Sequence, residues 1–203
     1  MSETQRLVVG ISGASGVIFG IRLLELLRSL PVETHLVMSR AADVTVAHET
    51  NHKLAQVHAL AHYVHPIADI AASISSGSFK TIGMVVAPCS IRSMSEIASG
   101  VTSSLLTRAA DVTLKEKRRL VLMVRETPLH LGHLRTMALL AEMGAIIAPP
   151  VPAFYSRPQS VEDLIDHSLG RVLDLFGLET GKLKRWGEEN ADAPRRLRRN
   201  EPG

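Results

Sequence analysis

The residues best suited to hold a phosphorylated ligand stand near the start of the chain. There an apolar run, Leu7 to Ile11, meets the bend Ser12-Gly13-Ala14-Ser15-Gly16, and a helical pattern follows from Val17 to Leu30. Glycines let a backbone approach a ligand closely, and a helix start offers unpaired N–H groups and the positive end of its dipole to an anion. A nucleoside-triphosphate loop is disfavoured, because it needs G-x-x-x-x-G-K-[ST] and the first fifty residues contain no lysine. NAD is disfavoured too. Gly10, Gly13 and Gly16 read G-x-x-G-x-x-G rather than G-x-G-x-x-G, and the second apolar run, Thr34 to Met38, ends in Ser39-Arg40 where an NAD-binding unit carries an acid. Ser39-Arg40 suits the 2′-phosphate of NADP, and Ser39 equally suits a hydrogen bond to flavin mononucleotide (FMN), so the bend by itself leaves both open.

Further candidates lie downstream. Arg125 and Glu126 directly follow the apolar run Arg119 to Val124. An arginine fork there can hold a phosphate or a flavin carbonyl, and a carboxylate can move protons. Arg108 and Lys115 are seven residues apart, two helical turns, so one face can present both to an anion, although the same pair could simply neutralise Asp111. Glu49, beside His48 at a helix end, is either an acid/base or a solvated cap. His130 and His133 have i, i+3 spacing, but without an H-E-x-x-H pattern or a second ligand cluster they read as capping or packing residues, as do His58, His62 and His65. Cys89, closing an apolar run, reads as buried filler rather than as a nucleophile.

These residues need a frame, and the apolar runs supply it. Leu7 to Ile11, Thr34 to Met38, Ile82 to Ala87, Arg119 to Val124 and Ala145 to Ala148 read as strands, the third stopping at Pro88-Cys89-Ser90. Helices are expected over Val17 to Leu30, Ala41 to Thr50, from about Ser93, over Ser103 to Lys117, over His133 to Met143 and over Val161 to Phe176. The stretch from 51 to 65 shows no clear period, 71 to 78 is small and polar, and 149 to 158 is a proline-rich loop. Near-continuous apolar strands alternating with helices indicate an α/β fold: a doubly wound, mainly parallel, Rossmann-like sheet in a three-layer αβα arrangement. Ligands of such sheets gather at the strand carboxyl ends. That rule brings Ser12 to Gly16, Ser39, Pro88 to Ser93 and Arg125-Glu126 to one edge.

At 203 residues and 45% hydrophobic, the chain suits one domain, taken as residues 1–190, followed by a basic, solvated tail over 191–203. The tail carries Arg195, Arg196, Arg198 and Arg199 against Asp192 and Glu201, a local +2 out of a net +3, which leaves the body at +1. A nearly neutral body with 3% aromatic residues lacks the charge and stacking surface of a nucleic-acid binder. A lone cysteine excludes an intrachain disulfide. No run approaches the ~18 apolar residues of a membrane span, and the start MSETQRLVV lacks the basic region and long apolar core of a secretion signal. A cytoplasmic protein without membrane partners is expected.

Seven ordered blocks resemble the UbiX-type flavin prenyltransferases: VVGISGASG (Val8 to Gly16), HLVMS (His35 to Ser39), SISSGSF (Ser73 to Phe79), PCS (Pro88 to Ser90), LLTRAADVTLKE (Leu105 to Glu116), VRETPLHLGHL (Val124 to Leu134) and PPVPAFYSRPQS (Pro149 to Ser160). The match spans roughly residues 6 to 186. The resemblance implies that Gly13, Ala14, Ser15, Ser39, Ser90, Ile91, Arg92, Ser93 and Arg125 hold FMN. It implies that Tyr155 and Arg171 hold the phosphate of dimethylallyl monophosphate, with Arg108 and Lys115 as further contacts. Glu49 and Glu126 match the family's catalytic carboxylates, and Ser15 is placed with them. The implied reaction joins the dimethylallyl group to N5 and C6 of reduced FMN, without a metal, and yields prenylated FMN. The recipient would be a UbiD-type decarboxylase acting on ubiquinone precursors or another aromatic acid, with a flavin reductase supplying reduced FMN and a homo-oligomer, a dodecamer by resemblance, completing the sites. Two alternatives stand beside it: a flavin-dependent decarboxylase of the cysteine-decarboxylase group, and an FMN-binding accessory subunit.

Overall fold

A computed structural model describes residues 4–181, so the tail at 191–203, the expected domain end at 190 and Trp186 lie outside the described residues. Six strands form one parallel sheet. They are β1 (Arg6–Ile11), β2 (Glu33–Met38), β3 (Tyr63–His65), β4 (Gly83–Cys89), β5 (Arg119–Val124) and β6 (Ile146–Ile147), in the order β3-β2-β1-β4-β5-β6. Central β1 pairs Val9 with Leu36 on one side and with Val85 on the other.

Alternate residues of each strand feed two cores, which explains the continuous apolar runs. Leu7, Val9 and Ile11 join Leu36, Val85, Val121 and Met123 beneath α1 (Ile18–Leu27), α2 (Arg40–Glu49), α3 (Leu54–His58) and α7 (Val161–Asp174). Val8, Val37, Met84, Val86, Leu120 and Leu122 face α4 (Ile91–Ala98), α5 (Leu105–Lys115) and α6 (Leu131–Glu142). The expected three-layer arrangement is therefore present. Gly20 sets the approach of α1, since a Cβ there would lie 2.3 Å from the Ala87 carbonyl oxygen.

Several boundaries differ from expectation for local reasons. Helix α1 ends at Leu27 rather than Leu30, because Leu30 precedes Pro31 and the residue before a proline is pushed out of the helical region. Strand β4 runs past Pro88 to Cys89, which pairs with Val124 after a register shift beyond Val86. Helix α4 begins at Ile91, two residues earlier than expected, because Ser90 is its N-cap and accepts from the Ser93 N–H. In the same way His130 caps α6, accepting from the His133 N–H. The stretch without a clear period contains α3 and β3, the latter a three-residue edge strand beside β2.

Candidate active site

The loops that follow β1, β2, β4 and β5 meet at one edge of the sheet. The Ser39 N–H donates to the Ile11 carbonyl (2.9 Å), and the Arg125 N–H to the Cys89 carbonyl (3.2 Å). Ser12 ties the other pair together. Its hydroxyl donates to the Pro88 carbonyl at 2.8 Å and accepts from the Ser90 N–H at 2.7 Å, and the residue is fully buried. This clasp joins β1 to β4, where successive strands reverse their direction of addition, the switch point at which open α/β sheets bind ligands.

A cavity of about 560 Å³ opens beside the clasp, lined by Gly13, Ser39, Arg40, Ser90, Arg92, Ser93 and Ser104 among others. Three helix starts surround it. Ser39, Ser90 and Ser104 are the N-caps of α2, α4 and α5, each accepting from a backbone N–H of its own first turn. Gly13 is required for the closeness of its loop to α2, because an added Cβ would lie 2.3 Å from the Ala41 Cβ. Of the residues chosen from sequence for FMN, Gly13, Ser39, Ser90, Arg92 and Ser93 line this cavity, whereas Ala14, Ser15, Ile91 and Arg125 do not. Arg92 is drawn along its helix by Glu96 at 2.8 Å, and Glu96 also accepts from Ser103 at 2.9 Å. Sequence reading missed Ser103, Ser104, Ile67 and Ala68, although S-x-x-T at 104–107 carries a capping signal.

The start of α1 is used differently from its sequence expectation. Glu49 Oε2 accepts from the Gly16 N–H at 2.7 Å and the Val17 N–H at 3.2 Å, so a carboxylate of the chain itself occupies that anion-binding position. Burial works against the charge of Glu49, but the Ser15 hydroxyl, these two N–H groups and the nearby Arg125 outweigh it and hold the carboxyl below its ordinary range. Glu49 thus ties the end of α2 to the bend and the start of α1. Glu126 is exposed and accepts from the adjacent Thr127 N–H at 3.0 Å.

Tyr155 and Arg171 share a separate cavity of about 340 Å³, with His167, Ser168, Met123 and Ala148 in its wall. The structure therefore brings these two together, as the sequence blocks implied, but no residue lines both this cavity and the one at the clasp. Arg108 and Lys115 join neither. Arg108 holds Asp111 at 2.7 Å and the Ser75 carbonyl at 3.2 Å, and Lys115 pairs with Glu116 at 2.5 Å. The neutralised pairing considered for Arg108 is the one present within this chain. His130 and His133 stack with centroids 3.5 Å apart, and among the described residues no His, Cys, Asp or Glu cluster suited to a metal includes them. Cys89 is fully buried, which pushes its thiol up to about 12 and makes it chemically inert filler.

A family model described as Flavoprotein matches residues 1–173. The flavin prenyltransferase UbiX of Escherichia coli K12 is 62% identical over 175 residues, covering 86% of this chain and 93% of that protein. The chain belongs to the UbiX flavin prenyltransferase family. Among solved members of the fold, the UbiX protein PadA1 in complex with FMN and dimethylallyl pyrophosphate matches with a TM-score of 0.89 at 54% identity, over 91% of this chain and 98% of that one. A dodecameric FMN-dependent UbiX-like decarboxylase from Escherichia coli O157:H7 matches with a TM-score of 0.88 at 50% identity, over 90% and 99%. Family membership accounts for the ordered blocks, which fall on the loops at the clasp, on the turn at Ser73–Ser75, on α5 and on the Tyr155 loop. Among the described residues no helix is long and apolar enough to cross a membrane.

Proposed function

We propose that this chain joins the dimethylallyl group of dimethylallyl monophosphate to N5 and C6 of reduced FMN, releasing phosphate and forming prenylated FMN for a UbiD-type decarboxylase. The observation that carries this reading is the presence of two distinct cavities, one at the switch point and one that holds Tyr155 with Arg171. A cysteine-type decarboxylase or a flavin carrier has no use for the second.

The residues at the clasp fit FMN. The cavity volume lies in the usual range for small ligands, about 300–1,000 Å³, and the serine-capped starts of α2, α4 and α5 present backbone dipoles to an anion. Gly13, Ala41 and Ala68 leave a wall of small residues against which a flat ring can lie. When bound, reduced FMN supplies the nucleophilic ring atoms. The protein's tasks are electrostatic. Arg171 and Tyr155 donate to the phosphate as its bond to the dimethylallyl carbon breaks, stabilising the charge that develops on the departing oxygen. Glu126, exposed at the end of β5, takes a proton as the new ring closes. Glu49, whose carboxylate holds the Gly16 and Val17 N–H groups beside Ser15, is the second group placed to take that proton.

The two cavities must be brought to the same reacting atoms, and association of copies of this chain supports that. Leu131, Leu134, Leu139 and Met143 are exposed on and just after α6, and Val151 and Phe154 flank the Tyr155 loop. A homo-oligomer buries these side chains, and a neighbouring copy can then bring Arg108 and Lys115 to a phosphate. Cytoplasmic location and supply of reduced FMN by a flavin reductase complete the reading.

The test incubates the protein with reduced FMN and either dimethylallyl monophosphate or the pyrophosphate, and weighs the flavin product. Prenylated FMN is expected from the monophosphate. Arg171→Ala should lower the rate by roughly thirty- to a thousand-fold, corresponding to about 2–4 kcal/mol of lost transition-state stabilisation, with FMN affinity unchanged. Tyr155→Phe should cost less, since it removes a neutral donor. Wild-type turnover in both variants, or loss of FMN from both, would refute the assignment.

A further inference from the structure

We propose that His167 is a positioning residue for Tyr155: it anchors the phenol and takes the donor side of their hydrogen bond, so that the hydroxyl donates to the substrate phosphate. The proposal rests on the reading of Tyr155 and Arg171 as the phosphate site.

Tyr155 belongs to the single 3-10 turn Phe154–Ser156, in a loop whose neighbours Val151 and Phe154 are among the most exposed apolar residues of the chain. His167, by contrast, is buried, at 8% exposure, and stands on α7 one turn before Arg171. Its helix is pinned to α1 by a two-pronged contact, Arg22 Nε to Asp166 Oδ1 at 2.6 Å and Arg22 Nη2 to Asp166 Oδ2 at 2.8 Å. The Tyr155 oxygen lies 2.9 Å from His167 Nε2, and the two rings meet edge to face with centroids 5.3 Å apart. The rigid helix thus fixes the loop residue through one hydrogen bond and one ring contact.

The direction of that bond decides what Tyr155 can do. A phenol has one hydrogen, and a phosphate only accepts. If Tyr155 donates to the imidazole, it has no hydrogen for the anion. If the imidazole Nε2–H donates to the phenol oxygen, the hydroxyl hydrogen can serve the phosphate beside Arg171. A neutral imidazole can carry its proton on either nitrogen, so His167 can assume the donor role when the anion arrives. The same imidazole lines both the Tyr155 cavity and an adjoining one of about 320 Å³ formed with Ser156, Arg157, Gln159, Asp163 and Asp166. An aliphatic side chain would fill the space equally well but could not donate.

The experiment measures steady-state kinetics of the full chain with reduced FMN and dimethylallyl monophosphate, with FMN affinity followed by fluorescence quenching. His167→Leu should lower kcat/KM for the monophosphate about tenfold, with FMN affinity unchanged, as expected for loss of a preorganised donor to the departing phosphate. His167→Gln, whose amide nitrogen reaches the same place, should stay within about threefold of wild type, and His167→Leu should add nothing in a Tyr155→Phe background. If the leucine variant does not fold, His167→Asn, whose amide is too short to reach the phenol, takes its place with the same expectation. Full additivity with Tyr155→Phe, or a glutamine variant as impaired as the leucine or asparagine one, overturns the role of His167. A silent Tyr155→Phe overturns the phosphate-site reading and this role with it, whereas a costly Tyr155→Phe with additive His167→Leu overturns this role alone.

Discussion

Replacing Ser12 by alanine tests whether the switch-point cavity depends on the clasp between β1 and β4. The hydroxyl makes two bonds, a buried one of 2.8 Å to the Pro88 carbonyl and a part-buried one of 2.7 Å from the Ser90 N–H. The carbonyl keeps a second donor, the Ser12 N–H at 3.2 Å, but the Ser90 N–H loses this acceptor. A net hydrogen bond contributes about 0.5–1.5 kcal/mol and a stranded donor that is only partly buried costs toward the low end of about 1–3 kcal/mol, so the substitution should destabilise by about 2–3 kcal/mol. For a chain of this size that is a fall in Tm of roughly 4–12 °C, read by circular dichroism at matched protein concentration. Because Ser90 caps α4 and lines the cavity, FMN affinity should fall about tenfold through lost preorganisation. A Tm within about 2 °C of wild type, less than about 1 kcal/mol, together with unchanged FMN affinity would show that the clasp positions nothing.

Gly13→Ala should abolish FMN binding in a fluorescence-quenching assay, because the new Cβ would lie 2.3 Å from the Ala41 Cβ and force the bend away from α2. Glu49→Gln should cost about 0.5–1 kcal/mol at neutral pH, the worth of an exposed carboxylate at a helix start. Since the folded-state pKa of Glu49 lies below 4.5, its contribution is full above that value and lost as pH falls through the folded pKa. The stability difference between wild type and Glu49→Gln, measured by urea melts, should therefore shrink on acidification below 4.5. Cys89, with its thiol pushed up to about 12, should alkylate with iodoacetamide only after denaturation, as scored by mass.

Where long-range contact decides a role, sequence pattern did not reach it. Glu49 could be read as an acid/base or as a cap, and the partners its carboxylate meets, the Gly16 and Val17 N–H groups, lie more than thirty residues away in the chain. Ser12 was visible only as one member of a small-residue bend, because its partners come from β4. Strand β3 escaped notice because it is a three-residue edge strand with exposed Tyr63 and Val64, so it carries neither an apolar run nor a usable alternation.

The chain's own pattern determined the α/β class, the strands β1, β2, β4 and β5 and the four loops that meet at their carboxyl ends, because burial on both faces of a parallel sheet writes itself as continuous apolar runs. The ordered blocks determined the family. Only the tertiary structure decided that the switch-point cavity and the Tyr155–Arg171 cavity are separate within one chain, that Arg108 and Lys115 are engaged by Asp111, Ser75 and Glu116, and that His167 stands behind Tyr155. The physical reason is that spacing along a chain encodes which way a side chain faces, whereas the partner it meets is set by how distant elements pack across the sheet.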